Sequence, residues 1–168
     1  MNNFTNDNIR LVIAHTLKAL NNYSAAAENL LIVTINLQEK YFSDKPGGGL
    51  GLYLIDSTTH LNIWDNYLAF DPDRASTVRG LASQQAFLQD PHLELLTNLA
   101  YATAIAWTIY QRNEVSLPPA EGLPGLTACW AQYFANQDQS ENPQTADLNS
   151  SANIIALRPR PGADRRQA

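Results

Sequence analysis

Residues 25–41 read AAAENLLIVTINLQEKY, and this stretch decides the fold. Ala27, Leu30, Leu31, Thr34, Ile35 and Gln38 fall on overlapping faces at helical spacing, and the segment is apolar on nearly all sides until Gln38-Glu39-Lys40. A helix with no polar face must be surrounded by protein, so the segment predicts the central buried helix of a mainly α domain. Ser24 stands before it as a plausible N-cap. After it, Pro46-Gly47-Gly48-Gly49 breaks regular structure, and Leu50-Gly51-Leu52-Tyr53-Leu54-Ile55 is too short for a helix, which predicts a short extended piece.

The flanking chain keeps the helical period. Ile9, Val12, Ile13, Thr16, Leu17 and Leu20 give one apolar face to a helix over Asn8–Leu20, which Asn21-Asn22 ends. Asp56 or Ser57 caps the next helix, with Leu61, Trp64, Leu68 and Tyr67 as its buried stripe. Asp71-Pro72 and Asp90-Pro91 both read as N-caps followed by proline, and Glu94 completes a capping box with Asp90. The longest helix is expected from Pro91 to about Arg112. A Pro/Gly loop, Leu117 to Gly125, leads to a last helix around Leu126–Phe134.

Residues 1–136 therefore read as one domain, an ordinary size for a chain of 168 residues. From residue 137 to 168 the composition turns to Gln, Asn, Ser and Asp and then to a basic, proline-containing end. That polar tail is expected to be disordered or to dock on a partner, with Ile154-Ile155-Ala156-Leu157 as its one apolar run.

Composition removes several classes of function. Eleven basic against sixteen acidic residues give a net charge of -5, which leaves little cationic surface for a nucleic-acid backbone. Cys129 is the one cysteine, so neither an internal disulfide nor a multi-cysteine zinc site is available, and it reads as a small buried apolar residue. The apolar run Leu93–Tyr110 is interrupted by Glu94, Thr97, Asn98, Thr103 and Thr108, which reads as a buried helix and not a membrane span. The N-terminus is polar with no secretory signal, so a soluble protein is expected.

Glu39 is the first candidate for chemistry. It ends an apolar helix, where a partly desolvating wall and the negative end of the helix dipole both disfavour a charged carboxyl; a general acid for glycosidic cleavage needs that environment. The competing assignment is a solvated helix-end glutamate. Asp56 can serve as a second carboxylate or simply as the N-cap of the following helix. Tyr53 and Tyr101 suit either a sugar-lined cleft or the core. His60 with Asp56 and Asp65 lacks the spacing of a metal site, and the glycine run lacks the Lys-Ser/Thr of a phosphate loop; neither a metal nor a cofactor is expected. Trp64, Trp107 and Trp130 stand at helical core positions.

Ala25 to Phe70 resembles the start of a lysozyme-like domain of the soluble lytic transglycosylase type. There a catalytic Glu ends a buried helix, and a glycine turn and short strand of the form G-x-x-G-L-x-Q-I follow. The counterparts here are Leu37-Gln38-Glu39-Lys40 and Gly47 to Ile55. The chain is similar also to small phage proteins with an A-E-N-L-L helix, a T-H turn and a D-I-W-x-N-Y-L helix, at Ala27–Leu31, Thr59-His60 and Asn62–Leu68. An aromatic final helix, Trp130-Ala131-Gln132-Tyr133-Phe134, extends the similarity over roughly residues 5–136.

The resemblance implies a lysozyme-like helical fold with a minimal β element at the cleft. It implies Glu39 as catalytic acid and peptidoglycan glycan as substrate, with Gly51, Tyr53 and Tyr101 as the substrate-binding candidates beside it. It further implies a place in the virion among other tail or baseplate proteins, either as a wall-degrading enzyme or as a structural component that has lost activity. Two positions depart from the pattern: Lys40 replaces the Ser after the acid, and Leu54 replaces the Gln of the short strand.

Overall fold

The computed structural model describes residues 3–42 and 49–135. Gly47, Gly48 and the expected tail at 137–168, with Ile154–Leu157, lie outside the described residues. The described chain is mainly helical: α1 (Asn3–Ala19), α2 (Ala25–Phe42), α3 (Ser57–Asn66), α4 (Pro72–Leu81), α5 (Gln84–Gln89), α6 (Leu93–Thr97), α7 (Leu99–Arg112) and α8 (Leu123–Tyr133), with a 3-10 turn at Leu68–Phe70. No helix among the described residues is long and apolar enough to cross a membrane.

Two helices form the centre. In α2 every side chain from Leu30 to Ile35 is buried, and in α7 every one from Tyr101 to Tyr110. Each aliphatic side chain buried in this way contributes ~1.5–3 kcal/mol, so the all-round apolar sequence of α2 dictates its central place. α1 packs on both α2 and α7, α8 closes over α2, and α3, α4 and α6 lie against α7. Ile9, Ile13 and Leu17 supply the buried stripe of α1.

Several polar groups inside this core pair across the helices. Thr34 Oγ1 donates to the Leu30 carbonyl and lies 2.6 Å from the Tyr110 hydroxyl, joining α2 to α7. Arg10 Nη1 donates to Glu28 Oε1 at 2.8 Å and to Asn29 Oδ1 at 3.1 Å, while Asn29 Nδ2 donates to the Ala120 carbonyl at 3.0 Å. Glu28 and Asn29, two residues of the A-E-N-L-L resemblance, therefore tie α1, α2 and the loop before α8 together. The pair is part-buried, so its loss is expected to loosen the packing of α1 on α2.

Local signals set most of the helix ends. The Ala27 N–H donates to Ser24 Oγ at 3.0 Å, the Thr59 N–H to Asp56 Oδ1 at 2.7 Å and the Arg74 N–H to Asp71 Oδ1 at 3.0 Å, so Ser24, Asp56 and Asp71 all act as caps. Asn21, at φ 56°, turns the chain out of α1.

Four expectations are corrected. The helix from Pro91 to Arg112 is two helices, because Asn98 (φ -125°, ψ 96°) leaves helical backbone, caps α7 at the Tyr101 N–H and donates to the Leu81 carbonyl. The longest helix is consequently α2, of 18 residues. Glu94 makes no capping box with Asp90: its wholly buried carboxylate accepts from the Ser83 N–H and from Asn98 Nδ2, and Asp90 instead accepts from the His92 N–H. Leu61 is 49% exposed, since α3 turns Thr59, His60 and Ile63 inward.

The fourth correction concerns residues 50–55, where a short strand was expected. They form a closed loop. Leu50 and Ile55 exchange both backbone hydrogen bonds across a single antiparallel bridge, and the Leu54 N–H donates to the Gly51 carbonyl. Gly51 (φ 69°) and Leu54 (φ 46°) both adopt left-handed backbone, which reverses a chain instead of extending it. A Cβ on Gly51 would stand 1.8 Å from the Leu95 carbonyl oxygen, so the loop touches the α6 backbone at a point only glycine permits.

Gly51→Ala is expected to lower stability by ~2 kcal/mol or more, through left-handed strain and displacement of α6. Gly80→Ala, on α4 with nothing within 4 Å of the added Cβ, should raise it by ~0.5–1 kcal/mol. Urea denaturation of both variants checks the contrast; equal effects would contradict the close approach at Leu95.

Candidate functional site

The C-terminal turn of α2 and the 50–55 loop are joined from inside. Gln38, buried on the inner face, donates from Nε2 to the Tyr53 carbonyl at 3.0 Å. The Tyr53 ring is wholly buried, and its hydroxyl lies 3.1 Å from Thr103 Oγ1 on α7. One tyrosine thus links the end of α2, the loop and the central helix. Its phenol is held far above its ordinary range by burial, with the Thr103 hydrogen bond opposing that effect.

One helical step beyond Gln38, Glu39 faces outward and is exposed. Among the described residues it forms no ion pair. Lys40 does not reach it: the Lys40 ammonium stands 5.1 Å from the Tyr41 ring centroid, and Tyr41 stacks on Trp130 of α8 at 5.8 Å. Among the described residues the dry wall expected around Glu39 from the apolar sequence of α2 is missing, because the apolar faces of α2 point inward and Glu39 is exposed.

The other sequence candidates divide by location. Asp56 is committed to the cap: Oδ1 accepts the Thr59 N–H and Oδ2 accepts the Thr59 hydroxyl, each at 2.7 Å. Gly51 packs against Leu95. Tyr53 and Tyr101 are 0% exposed, so neither presents a ring to a sugar at the surface. The structure brings Tyr53 and Gly51 into one loop next to the helix end that carries Glu39, and it places Tyr101 elsewhere, in a second polar cluster. Asp65 is exposed while His60 is buried, and among the described residues no group of three or more His, Cys, Asp or Glu side chains is arranged to hold a metal ion. Cys129 is buried, which pushes its thiol up to about 11.

That second cluster is one the sequence reading did not assemble. His60 Nδ1 lies 2.9 Å from His92 Nδ1, His60 Nε2 lies 2.7 Å from the Tyr101 hydroxyl, and Trp64 Nε1 donates to the same hydroxyl at 2.8 Å. Phe87 packs edge-on against both Trp64 and Tyr101. The chain crosses from α7 through α3 to the turn before α6. Burial lowers His60 to about 4, the neighbouring His92 acts in the same direction, and Asp90 opposes them. Burial likewise raises the Tyr101 phenol, with Glu94 adding to the shift and Trp64 and Arg79 opposing it. The one signal available in sequence was that Thr-His-Leu and Pro-His-Leu each place a histidine beside a helix start. Pairing them across 32 positions needed the fold.

No family model, curated protein or solved structure matches the chain.

Replacing Tyr101 by Phe leaves His60 Nε2 and Trp64 Nε1 without a partner, which should destabilise the chain by ~2–4 kcal/mol. Tyr53→Phe deprives only Thr103, whose hydroxyl can turn to its own helix, and should cost about 1 kcal/mol. Denaturant melts at pH 7 check the order. A Tyr101 variant as stable as wild type would mean that the cluster is not closed to solvent.

Proposed function

We propose that the chain is a lysozyme-like bacteriophage virion protein of the tail or baseplate. In this reading it cleaves the glycan strand of peptidoglycan by lytic transglycosylase chemistry, with Glu39 as the working carboxyl. The observation that carries the proposal is the position of Glu39: an exposed carboxyl without an ion pair among the described residues, on the last turn of a buried helix whose Gln38 is bonded to the Tyr53 carbonyl. Helix, acid, glycine-containing loop and capped helix follow one another in the order of the resembled family. The helical architecture is compatible with that fold, and the lysozyme-like assignment belongs to the proposal.

The chemistry of this reading uses Glu39 alone. Protonated Glu39 gives its proton to the glycosidic oxygen as the bond from C1 to that oxygen breaks, leaving an oxocarbenium-like sugar. The carboxylate then takes the proton of a sugar hydroxyl, whose oxygen bonds to C1 and closes an anhydro ring. No water is consumed, and no second carboxylate, metal or cofactor is called for. A hydrolase would pair two carboxyls ~5–9.5 Å apart, and Asp56, the second carboxylate considered from the sequence, has both oxygens engaged in its cap. In the free chain Glu39 meets water, so the desolvation that favours a protonated acid has to come from the glycan laid across it. The remaining partners in this reading are other virion proteins, and no nucleic acid is among them.

A structural, inactive component of the same virion assembly is the second reading. The burial of Tyr53 and Tyr101 favours it, as do Lys40 and Leu54 at two positions of the family pattern.

Incubating the purified chain with isolated peptidoglycan separates the two. The enzyme reading expects soluble muropeptides, abolished in Glu39→Gln with stability unchanged within ~0.5 kcal/mol because the site is exposed. Asp56→Asn, which retains an N-capping oxygen, should keep most of the activity. An inactive wild type on several wall chemistries would favour the structural component, and a dead Asp56→Asn that melts normally would restore a two-carboxyl mechanism.

A further inference from the structure

The segment Asp90–Asn98, which contains α6, is fastened to the rest of the domain at three points. The Leu95 carbonyl lies in the space a Cβ on Gly51 would occupy. The Glu94 carboxylate accepts from the Ser83 N–H. His92 meets His60 through their two Nδ1 atoms at 2.9 Å. The segment therefore lies as a strap over the 50–55 loop, with one fastening made of two imidazoles.

Proton counting in that fastening leaves no slack. Two ring nitrogens at this distance share one proton. With Trp64 N–H given to the Tyr101 oxygen, Tyr101 O–H given to His60 Nε2 and His60 Nδ1–H given to His92 Nδ1, three donors meet three acceptors, and His92 Nε2–H is left over for water. Adding one proton removes an acceptor and adds a donor. If His60 receives it, Nε2–H faces the Tyr101 oxygen and the Tyr101 O–H loses the acceptor it has in the closed arrangement. If His92 receives it, His60 must turn its own proton to Nε2, with the same result. Either cation leaves a buried donor unmatched, and opening the strap relieves it.

We infer that the His60–His92 pair is an acid-sensitive latch that holds the Asp90–Asn98 strap closed over the 50–55 loop. The groups facing the pair are Asp90 from the strap itself, Tyr101 from α7 and Trp64 from α3, and Glu94 and Arg79 bear on Tyr101. Asp90 is the group that favours a cation at His60; burial and His92 outweigh it. The sign follows. Closed, His60 is depressed to about 4; opened to water it returns to its ordinary 6.5. The latch is at full strength above 6.5, and closure weakens as pH falls from there towards about 4, the opening constant rising up to about tenfold per pH unit. The inference stands apart from the glycan-cleaving reading.

Hydrogen exchange of the full chain between pH 7 and pH 4.5, referenced to an unstructured peptide for intrinsic rates, tests the latch. Amides of 92–98 should lose protection progressively, up to about a hundredfold over the range, while those of 103–110 in α7 hold theirs. His60→Gln, which carries no titrating ring, should flatten the pH dependence of the strap; its persistence in that variant would assign the effect to Glu94 and overturn the latch. Should His60→Gln fail to fold, nitrogen-15 NMR of the wild-type histidines decides. A neutral His60 protonated at Nδ1 and bare at Nε2 at pH 6 supports the latch, whereas two cationic rings beneath a protected strap overturn it.

Discussion

The hydrogen bond from Gln38 to the Tyr53 carbonyl, with Tyr53 anchored in turn against Thr103, is the constraint on which the candidate site depends. A six-residue loop with one antiparallel bridge and two left-handed residues has little stability of its own. It keeps its shape because the buried tyrosine fixes it to α7 while the buried glutamine fixes it to α2. Each such bond contributes only ~1 kcal/mol net, but losing one partner leaves the other dry and unpaired, which is the larger effect. The clamp therefore sets where Glu39 stands relative to the start of α3.

That geometry narrows the chemistry more than the sequence could. A carboxyl used for capping is a different group from a carboxyl free to move protons, and Asp56 spends both oxygens on Thr59. Glu39 is exposed and, among the described residues, forms no ion pair. At the departure Lys40, the ammonium stands over the Tyr41 ring. The departure at Leu54 is more consequential. Where the resembled family carries a glutamine, this chain has a half-buried left-handed leucine, and no side-chain amide lies there to orient a sugar.

Periodicity and capping made much of the helical scaffold legible. The all-round apolar stretch named the central helix, the three-four spacing named α1, and Ser24, Asp56 and Asp71 marked starts that the backbone uses. These signals are local, set within one or two helical turns. The misses share the opposite property. Asn98 breaks a helix because the Leu81 carbonyl and the Glu94 carboxylate are there to receive its amide, and Leu61 turns outward because His60 has Tyr101 to reach. Gly51 turns left-handed against Leu95, a contact across 44 positions that no window of sequence contains. Tyr53 and Tyr101 carried the same ambiguity throughout: a phenol suits a sugar or a core hydroxyl equally well, and only burial distinguishes the two roles.

The central claim is a single carboxyl acting without water. Digesting peptidoglycan with the wild-type protein in oxygen-18 water and weighing the products by mass spectrometry tests it directly. Anhydro-terminated muropeptides free of the heavy isotope are the predicted outcome. Reducing ends that carry oxygen-18 would contradict it, since they require a water activated by a second base.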